Sequence, residues 1–390
     1  MNISQLASAE QSSLVERRRY LHMHPELSFH ETETYQYILS HLKSLRHVQV
    51  REEVGGKGIV AKISGGTGPT IAFRADFDAL PIQDEKEVPY KSTVPGVMHA
   101  CGHDGHTSTL LSLATILSQH HDELAGSVVL LFQFAEEIAP GGAAPMISDG
   151  ALEGVDAVYG NHFWSQFETH TIHSAKGPLM ASPDMFDVTI YGRGGHGAKP
   201  HMTIDAVVVM AEFIMNIQTI IARNVNPIDA GVLTIGKVEA GNTFNVISDR
   251  ATCSGTVRTF EPEVQKLIST ALENELKGLA VSKGITYDLN YVKGYPAVIN
   301  PEEGYEVIKR AAARAGLDFA DAPPMMIGED FSYYLLQKPG AFFLTGSGNK
   351  DKQTTAPHHH PMFDLDEDAM TTTLTMFLAI LEEEGVINAQ

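Results

Sequence analysis

Residues 127–137 read Ser127-Val128-Val129-Leu130-Leu131-Phe132-Gln133-Phe134-Ala135-Glu136-Glu137. The stretch from Ser127 to Ala135 is the most strand-like in the chain. Near-continuous apolar strands belong in sheets covered on both faces, which is the habit of parallel sheets. Shorter runs of the same kind at 58–63, 70–74 and 157–160 alternate with helical patterns at 4–20, 31–46 and 107–120. That order predicts an α/β domain with a mostly parallel sheet covered by helices. Function in such sheets gathers beyond the carboxyl ends of the strands, and Glu136-Glu137 stands at one of them.

Outward from this region the pattern changes. Between 183 and 293 it runs strand (186–191), helix (204–222), strand (231–238), strand (246–258), helix (263–281), strand (286–292). This β-α-β-β-α-β order predicts a ferredoxin-like α+β domain inserted into the first. Helices near 301–315 and 366–384 and a strand at 341–344 then complete the first domain. A chain of 390 residues is long enough for two cores. We therefore expect a metal-binding catalytic domain at 1–182 and 294–390, and a lid and dimerisation domain at 183–293. The exposed edge of the inserted sheet predicts a homodimer, and prolines near 181–184 and 293–296 mark hinges.

The formal net charge of −20 argues against a nucleic-acid partner. Two cysteines far apart in a long chain fit a reducing compartment. The first 28 residues contain three consecutive arginines where a signal peptide would have its apolar core. No apolar stretch approaches bilayer-spanning length, so the expectation is a cytoplasmic protein with no membrane partner.

Chemistry concentrates in Met98-His99-Ala100-Cys101-Gly102-His103-Asp104-Gly105-His106, just before a predicted helix. Any one of these residues reads most simply as a helix cap or a solvated side chain. Together they read as part of a metal site. Glu136-Glu137 allows one carboxylate to bind metal while the other handles a proton. His162 follows a short strand, and His358-His359-His360 sits in a loop fixed by Pro361. A cysteine, histidine and glutamate set suits Zn, Mn, Co or Ni better than Mg or Ca. Asp76 and Asp78, at another strand end, can orient a ligand histidine. Gly192-Arg193-Gly194-Gly195-His196-Gly197 satisfies a dinucleotide-binding pattern, but Pro200 delays the helix that such a site requires.

These residues, with Leu21 to Ser28, Arg74 to Pro81, Gly195 to His201, Asn245-Val246-Ile247, Gly328-Glu329-Asp330-Phe331 and His359 to Phe363, resemble a known family. It is the amidohydrolase branch of the metallopeptidases that include aminoacylases, carboxypeptidase G, hippurate hydrolases and plant hydrolases of auxin conjugates. The resemblance spans nearly the whole chain. It implies two divalent metal ions bridged by the Cys101 thiolate, with His103, Glu137, His162 and His359 as the other ligands. It also implies Glu136 as general base, with Asp78 beside it in the catalytic set. His196 and Asn245 would meet the substrate carbonyl and Arg258 a substrate carboxylate, while His22 and His24 would be structural. Relatives outside the branch place histidine at Asp76 and aspartate at Cys101, so this ligand set is softer and open to thiol oxidation. The expected reaction is hydrolysis of N-acyl amino acids or related small amides by metal-activated water, or of small dipeptides. A hydrolase with Cys101 as nucleophile would leave Glu137, His162 and His359 idle. An inert metal-binding protein would have no use for Glu136.

Overall fold

The structure is a computed structural model and describes residues 2–388. The chain forms two compact units, one of Met1–Leu179, Ile299–Pro323 and Asp330–Gln390, the other of Met180–Val298 and Pro324–Glu329. The short piece Pro324–Glu329 thus joins the smaller unit, where sequence assigned it to the larger. Both carbonyls of Met325 and Ile327 accept from the N–H of Ala181, at 3.1 and 2.9 Å.

The larger unit is built on an eight-stranded sheet. Its centre is parallel: Ser127–Gln133, Thr70–Asp76, Ala157–Glu168 and Gly340–Gly348 lie side by side. At one edge Gly58–Ser64 and then Val48–Val54 add antiparallel. At the other, Thr171–Ser174 runs antiparallel to Gly340–Gly348 and carries Asp318–Asp321 parallel to itself. All seven residues of Ser127–Gln133 are buried, as a strand with two covered faces requires. The helix His103–Gln119 is buried along nearly its whole length. It packs against Thr70–Asp76 and beneath the helices Gln11–Met23 and Asp368–Glu383.

Several sequence expectations shift. The predicted helix 4–20 is two, Ile3–Ala9 and Gln11–Met23, divided at Glu10. Val48–Val54 escaped notice because charged Arg51, Glu52 and Glu53 interrupt its pattern at an exposed edge. His162 lies inside a strand, not after one. Ala157–Glu168 continues past the polar residues Asn161 and His162 because Gly340–Gly348 pairs with it from Val158 to Trp164, His162 facing Leu344. His103 likewise opens its helix and does not precede it, behind Gly102 in the left-handed region at φ 95°.

The smaller unit has the strand order Gly231–Ala240, Arg250–Thr259, Ser182–Tyr191, Thr286–Val292, all antiparallel. The helices Ala206–Asn224 and Pro262–Lys283 pack against this sheet. Ser182–Tyr191 alternates buried and exposed, so Phe186, Val188 and Ile190 meet Phe213, Ile217, Ile268 and Leu272 in one core. The predicted strand 246–258 breaks at Ser248 and Asp249, leaving Val246–Ile247 to pair with Gly195–His196. The expectation that no apolar stretch approaches bilayer length does not hold. Ala206–Asn224 is long and apolar enough to cross a membrane by length and composition. Its apolarity has a second source, since Val209, Met210, Phe213, Ile217 and Ile220 supply the core of a small unit. Where the chain passes between the units, Gly177–Met180 and Val298–Asn300 form a two-stranded ribbon.

Candidate metal centre

Four segments of the larger unit converge just past the carboxyl ends of its parallel strands. Thr70–Asp76 ends at Asp76 and leads to Asp78, and Ser127–Gln133 leads to Glu136 and Glu137. The start of the helix His103–Gln119 brings Cys101 and His103. The loop with His359 is tied there by its own N–H, which donates to the Ala100 carbonyl at 2.8 Å. His359 takes φ 62°, a conformation costly for a residue with Cβ, and strain of this kind clusters at functional sites.

The ligand atoms of Cys101, His103 and His162 lie within 4.8 Å of one another, as do those of Cys101, Glu137 and His359, and those of His103, Glu136 and Glu137. Cys101 Sγ is 3.3 Å from His162 Nε2, and His359 Nε2 is 3.3 Å from Glu137 Oε1. The outer nitrogens are committed elsewhere. His162 Nδ1–H donates to the Phe163 carbonyl at 2.7 Å, and His103 Nδ1 faces the Asp78 carbonyl at 3.0 Å and Asp78 Oδ1 at 3.2 Å. His162 is thereby set to present a bare Nε2, the tautomer a metal ligand needs, and His103 would do so once a bound cation displaced its Nε2 proton. All five proposed ligands are thus brought together, with Glu136 beside them.

The supports are buried as well. Arg74 bridges Asp76 at 2.5 Å and Asp330 at 2.7 Å, and Gln133 Nε2 donates to both Asp330 oxygens. Breaking one such buried ion pair costs about 3–5 kcal/mol, far above a surface pair. Asp76 then meets His106 Nδ1 at 2.6 Å, while His106 Nε2 accepts the Phe163 N–H at 3.0 Å. Both His106 nitrogens are used, so this ring braces the peptide beside His162. His358 Nε2 meets the same Phe163 carbonyl at 2.9 Å. His22 is structural in a definite way: its ring stands between Asp104 and Asp84, at 2.8 and 3.2 Å, where Arg18 also holds Asp104. That network anchors the residue after His103. His24 Nδ1 meets the Tyr20 carbonyl and its ring packs on the Tyr20 ring.

The electrostatics of the cluster favour a cation. Burial and then Glu137, Glu136 and Asp76 push the Cys101 thiol well above its usual range, so it is neutral without a cation. Burial opposes charge on His103, yet Asp76, Asp78 and Glu137 outweigh it and raise the imidazole to about 10. Burial, with His106 and His358, holds His162 well below the usual histidine range, leaving a neutral lone pair. His103 Nε2 and Glu137 Oε1 are buried with no hydrogen-bond partner. Such atoms are costly to bury. A thiol, three imidazoles and carboxylates with these orphaned donors and acceptors fit divalent ions of the Zn, Mn, Co or Ni kind.

The remaining predicted residues lie in the smaller unit. His196 pairs with Val246, and the Gly197 N–H donates to the Asn245 carbonyl at 2.8 Å, so His196 and Asn245 share one ribbon. Arg258, on the strand Arg250–Thr259, is held through Nη1 by the Val257 carbonyl, the Asp184 carbonyl and the Thr256 hydroxyl. Among the described residues none of its hydrogen bonds goes to a carboxylate. Sequence reasoning gave no role to His106, His358, Gln133 or Glu31; only His106 and His358 had a signal, as members of histidine-rich motifs.

The profile of peptidase family M20/M25/M40 matches residues 72–383. Among curated proteins, an N-acyl-L-amino acid amidohydrolase of Geobacillus stearothermophilus is 42% identical over 302 residues, 77% of this chain and 82% of its own. An N-acetyl-L-cysteine deacetylase of Bacillus subtilis is 40% identical over 365 residues, 93% of this chain and 86% of its own. Among solved structures, the YxeP protein of Bacillus subtilis, described as a dinuclear metal-binding peptidase, superposes with a TM-score of 0.83 at 36% identity, covering 97% of this chain and 100% of its own.

Proposed function

This chain belongs to peptidase family M20/M25/M40 and is a metal-dependent amidohydrolase, and from that premise we propose that it cleaves the amide bond of N-acyl amino acids. The observation that carries the reading is the cluster of Cys101, His103, Glu137, His162 and His359 around the orphaned His103 Nε2 and Glu137 Oε1, with Glu136 adjoining. Those five residues would hold two ions, which when bound would acidify water and polarise the amide carbonyl. Glu136 accepts the proton of the attacking water and returns it to the leaving amine nitrogen. Asp78 orients His103 and, through its Oδ2, the Glu137 N–H at 3.0 Å. His196 Nδ1 accepts the Ala198 N–H at 3.0 Å, which leaves the Nε2–H as donor to the developing oxyanion, with Asn245 beside it.

Arg258 supplies the carboxylate preference. Burial lowers its pKa and the Asp184 carboxylate offsets this in part; among the described residues the half-buried guanidinium hydrogen-bonds only to carbonyls and a hydroxyl, which favours its binding a substrate carboxylate. Replacing Arg258 by alanine is expected to raise KM at least about tenfold for N-acyl amino acids and much less for the matching N-acyl amino acid amides. Equal losses on both series would remove Arg258 from substrate recognition.

The direct test of the reaction is release of free amine from N-acetyl, N-benzoyl and N-succinyl amino acids by the metal-loaded protein. No release from any of them would reject the substrate class. The partner we propose for the smaller unit is a second copy, because Val207, Val208, Met215, Val238 and Phe244 leave apolar side chains exposed there. The mass in solution, one chain or two, decides this. A cytoplasmic location accords with two unpaired cysteines, and fractionation of cells would check it.

A further inference from the structure

The turn that presents Glu136 and Glu137 is gripped on both sides by buried carboxylates. Ala135 takes φ 51°, in the left-handed region that costs a residue with Cβ free energy. Its N–H donates to Glu31 Oε1 at 2.8 Å. Two residues on, the Glu137 N–H donates to Asp78 Oδ2 at 3.0 Å. Glu136 is the residue between these two held peptides.

Glu31 is fully buried. It reaches this turn because the segment before it is laced to the neighbouring strand end. Leu27 bridges Ala79, the Ala79 N–H donates to the Glu26 carbonyl at 2.8 Å, and the Ser28 hydroxyl donates to Asp78 Oδ2 at 2.7 Å. The Phe29 ring meets Phe134 edge-on at 5.9 Å. The second oxygen of Glu31 is buried with no hydrogen-bond partner, and the Lys57 ammonium stands 4.0 Å from it. Burial pushes this carboxyl up to about 7, with Asp78 adding to the shift and its own N–H and that of Ala135 opposing it. An apolar side chain would avoid burying a carboxyl but would leave the buried Ala135 N–H without its acceptor.

We infer that Glu31 is a positioning residue for Glu136, holding the Ala135 peptide in its left-handed turn and so fixing the direction in which the Glu136 carboxylate leaves the strand. The inference rests on the reading of Glu136 as the proton-transferring group. Misplacing a reacting group by about 1 Å can cost on the order of a hundredfold.

The test compares metal-loaded wild type, Glu31→Ala and Glu31→Gln on whichever N-acetyl, N-benzoyl or N-succinyl amino acid the wild type hydrolyses fastest. Glu31→Ala should lower kcat by roughly 10- to 100-fold with KM and bound metal unchanged. Glu31→Gln keeps an oxygen for the Ala135 N–H and should restore kcat to within a few-fold of wild type. Deuterium exchange over residues 134–138 should rise in the alanine variant and stay low in the glutamine variant. An alanine variant with wild-type kcat, or one whose turn exchanges no faster, overturns the inference. So does a glutamine variant, folded and metal-loaded, that falls as far as alanine or, should alanine not fold, falls more than about tenfold. If the wild type itself releases no amine, the substrate reading fails, and the exchange comparison alone decides whether Glu31 holds the turn.

Discussion

Cys101→Ala is expected to yield a folded protein that binds at least one metal ion fewer than wild type and hydrolyses N-acyl amino acids about 10³-fold more slowly or worse. The size follows from losing several kcal/mol of charge stabilisation, at about 1.4 kcal/mol for each factor of ten. The fold should survive because Cys101 is only partly buried and the buried ion pairs of Arg74 and Arg18 are untouched. Metal analysis and the thermal midpoint measure the two halves of the expectation. With cobalt bound, the wild type should also show a thiolate-to-metal absorption band that the variant lacks. Full metal content with normal turnover would take Cys101 out of the centre. The same experiment separates the rival chemistry: a cysteine nucleophile would survive chelation of the wild type, whereas the metal-dependent route stops and resumes on adding metal back.

Glu136→Gln is expected to keep its metal and its KM while kcat falls by roughly two to four orders of magnitude, the range for losing general acid–base catalysis. The substitution removes the proton acceptor and preserves the shape of a side chain that is 7% exposed. Glu137 makes a useful contrast, because its Oε1 stands 3.3 Å from His359 Nε2 and 3.8 Å from His103 Nε2. Should Glu136→Gln lose metal and Glu137→Gln retain it, the roles of the two carboxylates are exchanged.

Much of the candidate centre is legible in sequence because the residues that cluster there sit at strand ends and helix starts, where short motifs of cysteine, histidine and carboxylate stand out. Long apolar runs such as Ser127 to Phe134 carry their own periodicity, and the parallel core followed from them. His162 was assigned its part in the centre but the wrong kind of position. Its strand continues through polar residues because Gly340–Gly348, far away in sequence, satisfies its hydrogen bonds. Residues that act on backbone were the least visible. Glu31 reaches Ala135 across 104 positions, and His106 acts through the Phe163 peptide. A side chain that grips a distant N–H leaves no spacing to read. Val48–Val54 is hard to read in sequence for the converse reason, since an edge strand with one wet face tolerates charge.

The ribbon of Gly177–Met180 and Val298–Asn300 has a meaning for heredity. Neighbouring strands lie about 5 Å apart, so the larger unit's chain leaves and resumes at adjacent points. Apart from the brief excursion Pro324–Glu329, the smaller unit is one continuous stretch of the chain. Recombination between relatives could exchange that stretch, with His196, Asn245 and Arg258, while leaving every codon for Cys101, His103, Glu136, Glu137, His162 and His359 in place. On the roles proposed above for these residues, substrate range and metal chemistry would then be inherited as separable traits.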